Sequence, residues 1–312
     1  MANATKEKDN ILICSVSVDH YLPCPNDDNM TNSSKPQPST FQSIERVTAL
    51  IQLAMLLLAF LLPTQDAAEE ETAPPDAGLI GHLDDLNWKA RHEAKLLEAS
   101  SRPVRLVLLG DSITANYELK GPKPLHDYSG VWKRYYADRY ALNLGFSGDG
   151  THHLLWRIMH GEIDTIAPKV AVILIGTNDI GWQHRTAPDT VQGIDAVVAE
   201  LHLRLPATKI LLMGLLPSDR GASVQQATAE INSALAARYG NGQVLYVTYR
   251  DVSSAFLKNG VLDTSLFSDP QQAPPEPGVH PSPEGQERMA AALEPTLSEL
   301  LGDARQRPLT LS

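Results

Sequence analysis

The chain has 312 residues, 43% of them hydrophobic, and a formal net charge of -11. That apolar share supports a real core, in one large domain with an appendage or in two small ones, while the acidic balance argues against nucleic acid as a partner, because phosphate binding needs a basic face. The two cysteines, Cys14 and Cys24, both stand near the N-terminus, so thiolate metal sites and a disulfide framework are excluded from everything downstream.

Residues 1–46 are polar, with PNDDNMTNSSKPQPST dominated by Asn, Asp, Ser and Pro. Such a composition buries little apolar surface and reads as a disordered tail. Val47 to Pro63, VTALIQLAMLLLAFLLP, is apolar apart from Thr48 and Gln52. The run is long for a signal-peptide core and slightly short of the roughly 20 residues of a full span. It has no polar face and leads into an acidic linker, residues 64–79, so a signal peptide or signal anchor is favoured over a buried core helix. Lys35 and Arg46 precede the run and TQDAAEEETAPPDAG follows it without a basic residue. This asymmetry places the N-terminus in the cytoplasm and the remainder outside. Cleavage near Ala67 or Ala68 and a start at Met30 rather than Met1 are both open.

From residue 80 to 302 the pattern is α/β. GHLDDLNWKARHEAKLLEASS carries Leu83, Leu86, Leu96 and Leu97 at helical spacing, and VRLVLLG, YALNLG, VAVILIGTND, KILLMGLLP and QVLYVTY are short continuous apolar runs. Helix-like stretches separate those runs, at Gly130 to Asp138, His152 to His160, Asp189 to Leu205 and Val224 to Tyr239. Apolar strands alternating with amphipathic helices predict a parallel sheet covered on both faces. A last helix follows Pro283, with Ser282 suited to cap it and Pro283 suited to its first turn. Trp132, Tyr135, Tyr136 and Trp156 fall at helical spacing and read as core. A C-terminal tail, residues 303–312, completes the chain.

In an open parallel sheet, ligands bind beyond the carboxyl ends of the strands. The segments there are Gly110-Asp111-Ser112, Gly145 to Gly150, Gly176 to Asp179 and Gly214 to Pro217. Taken singly each has a plain structural reading: Ser112 as a helix N-cap, Asn178 as a turn former, Gly148 as a loop glycine. The glycines match neither a dinucleotide nor a P-loop spacing. The pair His152-His153 lacks an HExxH or cysteine context for a metal. Taken together with His280 in VHPSPEG, three of these positions meet the needs of acyl transfer. They supply a hydroxyl nucleophile, an imidazole to take and return its proton, and donors for the oxygen that becomes negative. The N–H groups of Ser112 and Gly148 and the side-chain amide of Asn178 could be those donors.

With these residues in view, the chain from about 85 to 301 resembles the SGNH (GDSL-type) hydrolases. GDS at 110–112, NLGFSGDGT at 143–151, GTND at 176–179 and VHPSPEG at 279–285 fall in the family's order. SGDGTHHLLWRI, PKVAVILIGTND and LLMGLLP, with Trp88 and His92 before them, are similar to the platelet-activating factor acetylhydrolase catalytic-subunit branch. The resemblance implies a three-layer α/β/α, flavodoxin-like fold with a five-stranded parallel sheet. It implies Ser112 as nucleophile, His280 as base, an oxyanion hole of Ser112, Gly148 and Asn178, and no metal or organic cofactor.

One position departs from the family. An Asp usually stands three residues before the histidine, and here that residue is Pro277. Asp269 is the first candidate to replace it, because Leu266 and Phe267 could pin it beneath the site. Glu276 is the alternative, and a backbone carbonyl orienting a Ser-His dyad is a third reading. Pro281 restricts His280 to an extended conformation. The expected function is an extracytoplasmic serine esterase, periplasmic or secreted and membrane-anchored through residues 47–63 if these are uncleaved. It would remove a small acyl group, such as acetyl, from an acylated small molecule, lipid or glycan. An acyltransferase on a polysaccharide, and a catalytically silent SGNH-fold protein of an envelope or polysaccharide-export system, are the rivals. A homodimer is compatible with the sequence.

Overall fold

The computed structural model describes residues 84–122, 126–240, 244–247, 252 and 254–303. All of them fall in one compact unit, Glu70–Ser312. The apolar run 47–63, with the tail before it and the linker after it, lies outside the described residues. No helix among the described residues is long and apolar enough to cross a membrane.

Five parallel strands form the central sheet: β1 (Leu106–Gly110), β2 (Ala141–Gly145), β3 (Val170–Leu174), β4 (Lys209–Met213) and β5 (Leu245–Val247), in the order β2-β1-β3-β4-β5. This is the flavodoxin-like order, and its switch point lies between β1 and β3. The strands are mostly apolar because both faces are covered, with Asn143 in β2 and Lys209 at the start of β4 the exceptions among β1 to β4. Val107, Leu109, Leu142, Leu144, Ala171, Ile173, Ile210 and Leu212 join one buried cluster, while Leu106, Leu108, Val170, Val172, Leu211 and Met213 join the other. That alternation is the period of two expected of a strand.

The helices bear out the α/β reading. Among the described residues they include α1 (Leu86–Ser101), α2 (Ser112–Ala115), α3 (Ser129–Tyr135), α4 (Thr151–Met159), α5 (Thr177–Gly181), α6 (Ala187–Arg204), α7 (Ala222–Tyr239) and α8 (Pro283–Leu301). Ser282 caps α8 by accepting from the Gly285 N–H, with Pro283 in the first turn. The leucine spacing of α1 does not mark its buried face. Leu86 and Leu97 are exposed, and the helix is buried through Trp88, His92, Lys95 and Ala99. The reason is what it packs on: the Trp88 ring lies 5.5 Å from Phe146 and 5.7 Å from Trp156, so an aromatic seam replaces the leucine stripe.

Candidate functional site

Ser112 is the first residue of α2, immediately beyond β1. Its N–H therefore has no intrahelical partner. Asp111 is the N-cap, accepting from the Ile113 N–H at 2.9 Å. The helix is tied to the last one by Gln286, whose Nε2 donates to the Ile113 carbonyl at 2.6 Å.

Ser112 Oγ and His280 Nε2 are 2.8 Å apart. On the other side of the ring, His280 Nδ1 is 2.6 Å from Asp269 Oδ1. Asp269 Oδ2 accepts two further hydrogen bonds, from the backbone N–H groups of His280 at 2.6 Å and Val279 at 2.7 Å. Burial by itself would push the Asp269 carboxyl up, but the bonds from His280 and these two N–H groups outweigh it and hold the group below its ordinary value. Glu276 is exposed and touches this arrangement only through its own N–H, which donates to the Asp269 carbonyl at 3.2 Å. Leu266 and Phe267, both fully buried, precede Asp269 and seat its turn in the core.

The backbone of His280 is fixed on both sides. Its carbonyl accepts from the Ser268 N–H at 2.8 Å, and the next residue's carbonyl accepts from the buried Tyr128 hydroxyl at 2.9 Å. Phe267 and Pro281 form an antiparallel bridge. The segment holding the acid and the segment holding the imidazole are thus stitched together across the prolines between them.

The third part of the site is the turn after β2. Gly148 has φ +83°, a left-handed conformation that a Cβ disfavours. Asn178, in α5, donates from Nδ2 to the Asp149 carbonyl at 2.9 Å, which uses one of its two amide protons. Asp179 beside it accepts from Thr151 twice, from the N–H at 2.9 Å and the hydroxyl at 2.7 Å. His153 Nδ1 accepts from the Gly150 N–H at 2.9 Å, so this nitrogen serves the turn. Among the described residues, no group of three or more His, Cys, Asp or Glu side chains could hold a metal ion.

Beneath the turn lies a buried ionic cluster that the residue-by-residue reading missed. Asp149 accepts from Trp88 Nε1 at 2.7 Å and from Arg157 Nε at 2.8 Å, and Arg157 also pairs with Glu162. The Arg157 guanidinium lies over the Phe146 ring, 3.9 Å from its centroid. All three charged side chains of the cluster are fully buried. Burial, with the Arg157 charge second, lowers the neighbouring His92 to about 4, so its ring is neutral. The available signal was Arg157 itself, a lone cation in the amphipathic stretch of α4 with an Asp eight positions earlier.

A family model described as GDSL-like lipase/acylhydrolase matches residues 108–288, more than half of the chain. The chain belongs to the GDSL-like lipase/acylhydrolase family. This GDSL-like chain is 32% identical over 152 residues to the platelet-activating factor acetylhydrolase IB subunit alpha2 of Homo sapiens, which covers 48% of the chain and 61% of that protein. It is 30% identical over 151 residues to the human subunit alpha1, covering 48% and 60%. It thus spans less than two thirds of the length of these curated relatives. Among solved structures it is similar to a candidate acylhydrolase from Bacteroides fragilis NCTC 9343, with a TM-score of 0.54 at 20% identity over 70% of this chain and 99% of that one. It is also similar to a GDSL-like lipase from Bacteroides thetaiotaomicron VPI-5482, with a TM-score of 0.50 at 19% identity over 67% and 98%. At those identities the GDSL-like neighbours speak to the α/β fold alone, and the fold agrees.

Proposed function

We propose that this GDSL-like protein is a serine esterase, a carboxylic ester hydrolase that removes a small acyl group from a lipid or polysaccharide. The observation that carries the reading is the unbroken line from Ser112 through His280 to Asp269, with contacts of 2.8 and 2.6 Å at the carboxyl edge of the sheet. Ser112 Oγ attacks the ester carbonyl carbon while His280 Nε2 takes its proton. Asp269 holds the ring with Nδ1 protonated and stabilises the imidazolium that forms. The carbonyl oxygen, now negative, accepts from the N–H groups of Ser112 and Gly148 and from the second amide proton of Asn178. The tetrahedral intermediate collapses, the C–O bond to the alcohol breaks, and His280 returns the proton to the leaving oxygen. Water then repeats the cycle on the acyl-enzyme and releases the acid. No step calls on a metal or organic cofactor.

The acetylhydrolase names of the human relatives support acetyl as the acyl group. Asp269, seated against His280, supports an active site despite Pro277 standing where the family has an Asp. Residues 47–63, with Lys35 and Arg46 before them and no basic residue in the flank 64–78, support delivery of the catalytic unit to the outside of a membrane. The test is to treat the full-length protein with a fluorophosphonate probe and map the adduct by mass spectrometry. Labelling at Ser112 is expected, and labelling elsewhere or none overturns the assignment.

A further inference from the structure

Buried polar atoms without a hydrogen-bond partner are rare in folded proteins, because each costs the full desolvation of the group. Of the nine such side-chain atoms among the described residues, five belong to Asp111, Thr177, Gln183, Asp219 and Arg220. All five residues follow the carboxyl ends of β1, β3 or β4, the edge that carries Ser112. Arg220 bears the only cation among these five. Its Nη1 is buried and unpaired, and no acidic side chain forms an ion pair with it among the described residues.

The neighbours of Arg220 tie it to the catalytic edge. Asp269 and Asp111, which flank His280 and Ser112, both act on its charge, as does Glu276. Asp269 gives its oxygens to His280 and Val279 instead, and neither it nor Asp111 forms an ion pair with Arg220. Gly181, at the end of α5, admits the guanidinium: a Cβ there would stand 2.0 Å from Nη1. The next residue, Trp182, is 70% exposed and presents its ring 5.5 Å from Arg220 Cζ. Gln183, one further on, lies against the oxyanion turn, where a Cβ on Gly150 would meet its Oε1 at 2.5 Å. One short segment therefore connects Arg220 to the turn that carries Gly148.

We propose that Arg220 binds an oxyanion, a carboxylate or a phosphate, on the alcohol portion of the substrate, with Trp182 as the wall of that subsite. Nη1 is held against Gly181, so the remaining N–H groups of this planar guanidinium, which no acidic side chain among the described residues engages, match such an acceptor better than they match a neutral one. The alcohol portion is assigned because a small acyl group has no room for a second charge, and to that extent the inference rests on the esterase reading.

The experiment compares acetate esters that differ only in the leaving group: 4-acetoxybenzoate, 4-acetoxyphenyl phosphate and the neutral 4-acetoxybenzamide. The full-length protein should show kcat/KM for at least one anionic ester about 10- to 100-fold above the neutral one, the range of a charge-assisted hydrogen bond. The larger of the two ratios tells carboxylate from phosphate. Arg220→Met should bring the anionic-to-neutral ratio close to one, and Arg220→Lys should keep part of it. Equal rates for all three esters in the wild type, or a ratio that survives Arg220→Met, overturns the proposal. Calorimetric binding of 4-hydroxybenzoate and phenyl phosphate separates the two readings. Binding that Arg220→Met abolishes, in a protein that hydrolyses none of the esters, upholds the subsite and sinks the esterase. Absence of binding together with hydrolysis at equal rates does the reverse.

Discussion

Asp269→Asn tests how the imidazole is held. The carboxylate accepts three hydrogen bonds, from His280 Nδ1, the His280 N–H and the Val279 N–H. An amide of the same size has one acceptor oxygen. If that oxygen faces the two backbone groups, the NH2 points at Nδ1 and selects the tautomer with its proton on Nε2, which cannot take the proton of Ser112. If it faces Nδ1, two backbone N–H groups meet an NH2 and lose their acceptor, at about 1–3 kcal/mol each. The first arrangement is cheaper, so turnover should fall by about 10⁴-fold, a barrier increase of about 5 kcal/mol. Glu276→Gln should stay near wild type, since its side chain is exposed. The assay is steady-state hydrolysis of 4-nitrophenyl acetate by the full-length protein, with urea unfolding as a control. Because the Asp269 carboxyl is held below its unfolded value of 3.8, it contributes stability above that pH and loses it as pH falls through the folded value. The Asn variant should lack that acid-side loss. Full activity in both variants would leave a dyad oriented by the backbone and refute the argument.

Ser112→Ala should lower esterase turnover by up to roughly 10⁶-fold without unfolding the protein; retention of a tenth of wild-type activity would reassign the nucleophile. Asn178→Ala should cost about 10²- to 10³-fold in kcat, with a smaller change in KM, and a loss confined to KM would make it a ground-state contact. Arg157→Met strands the buried Asp149 and Glu162 carboxylates and should lower unfolding stability by about 3–5 kcal/mol in urea titrations; a change under 1 kcal/mol would mean the cluster relaxes to water. Asp111 is raised from 3.8 to about 7 by burial, so its penalty is absent below pH 4 and complete above pH 7. Asp111→Asn, which keeps the cap, should flatten the stability loss between those pH values, and an unchanged slope would refute the burial argument. Protease treatment of intact cells should cut the tagged catalytic unit from outside, whereas recovery of full-length soluble protein in the cytosol would rule out delivery by residues 47–63.

The sheet was legible because it is parallel and covered on both faces: LVLLG and VAVIL are uninterrupted apolar runs, ALNLG and KILLM are broken by one polar residue each, and their ends mark the ligand edge. The candidate site was legible where a residue type is chemically specific and stands at such an end, as with Ser112 and Asn178. Two things were not. The burial of α1 depends on Trp88 and His92 meeting Phe146 and Trp156 from distant segments, and the leucine count pointed elsewhere. The Asp149–Arg157–Glu162 cluster was hidden because polar residues in an amphipathic helix read as a solvated face. Only the packing of α4 against the sheet turns Arg157 inward.

In the proposed mechanism, the electrostatics around Ser112 follow from those contacts. Asp111, Asp149, Asp179 and Asp269 all lie around the strand ends, and four full negative charges there would favour the imidazolium of His280 while opposing the oxyanion on the substrate. Each is handled differently. Asp149 is paired with Arg157, Asp179 is bonded to Thr151, and Asp111 is driven toward its neutral form by burial. Asp269 is placed behind the ring, so its charge meets the imidazolium at 2.6 Å but reaches the oxyanion only across the width of the histidine. Coulomb energy falls with distance, so this ordering stabilises the cation more than it penalises the anion. On that proposal, the short-range donors of Ser112, Gly148 and Asn178 supply the rest. Their geometry depends on the turn that Asp149 anchors by its side chain to Trp88 and Arg157, and by its carbonyl to Asn178. The buried cluster and the turn that carries Gly148 are therefore one mechanical unit. Loss of Arg157, whose Nη2 also donates to the Gly110 carbonyl at 3.4 Å, should therefore lower kcat as well as stability.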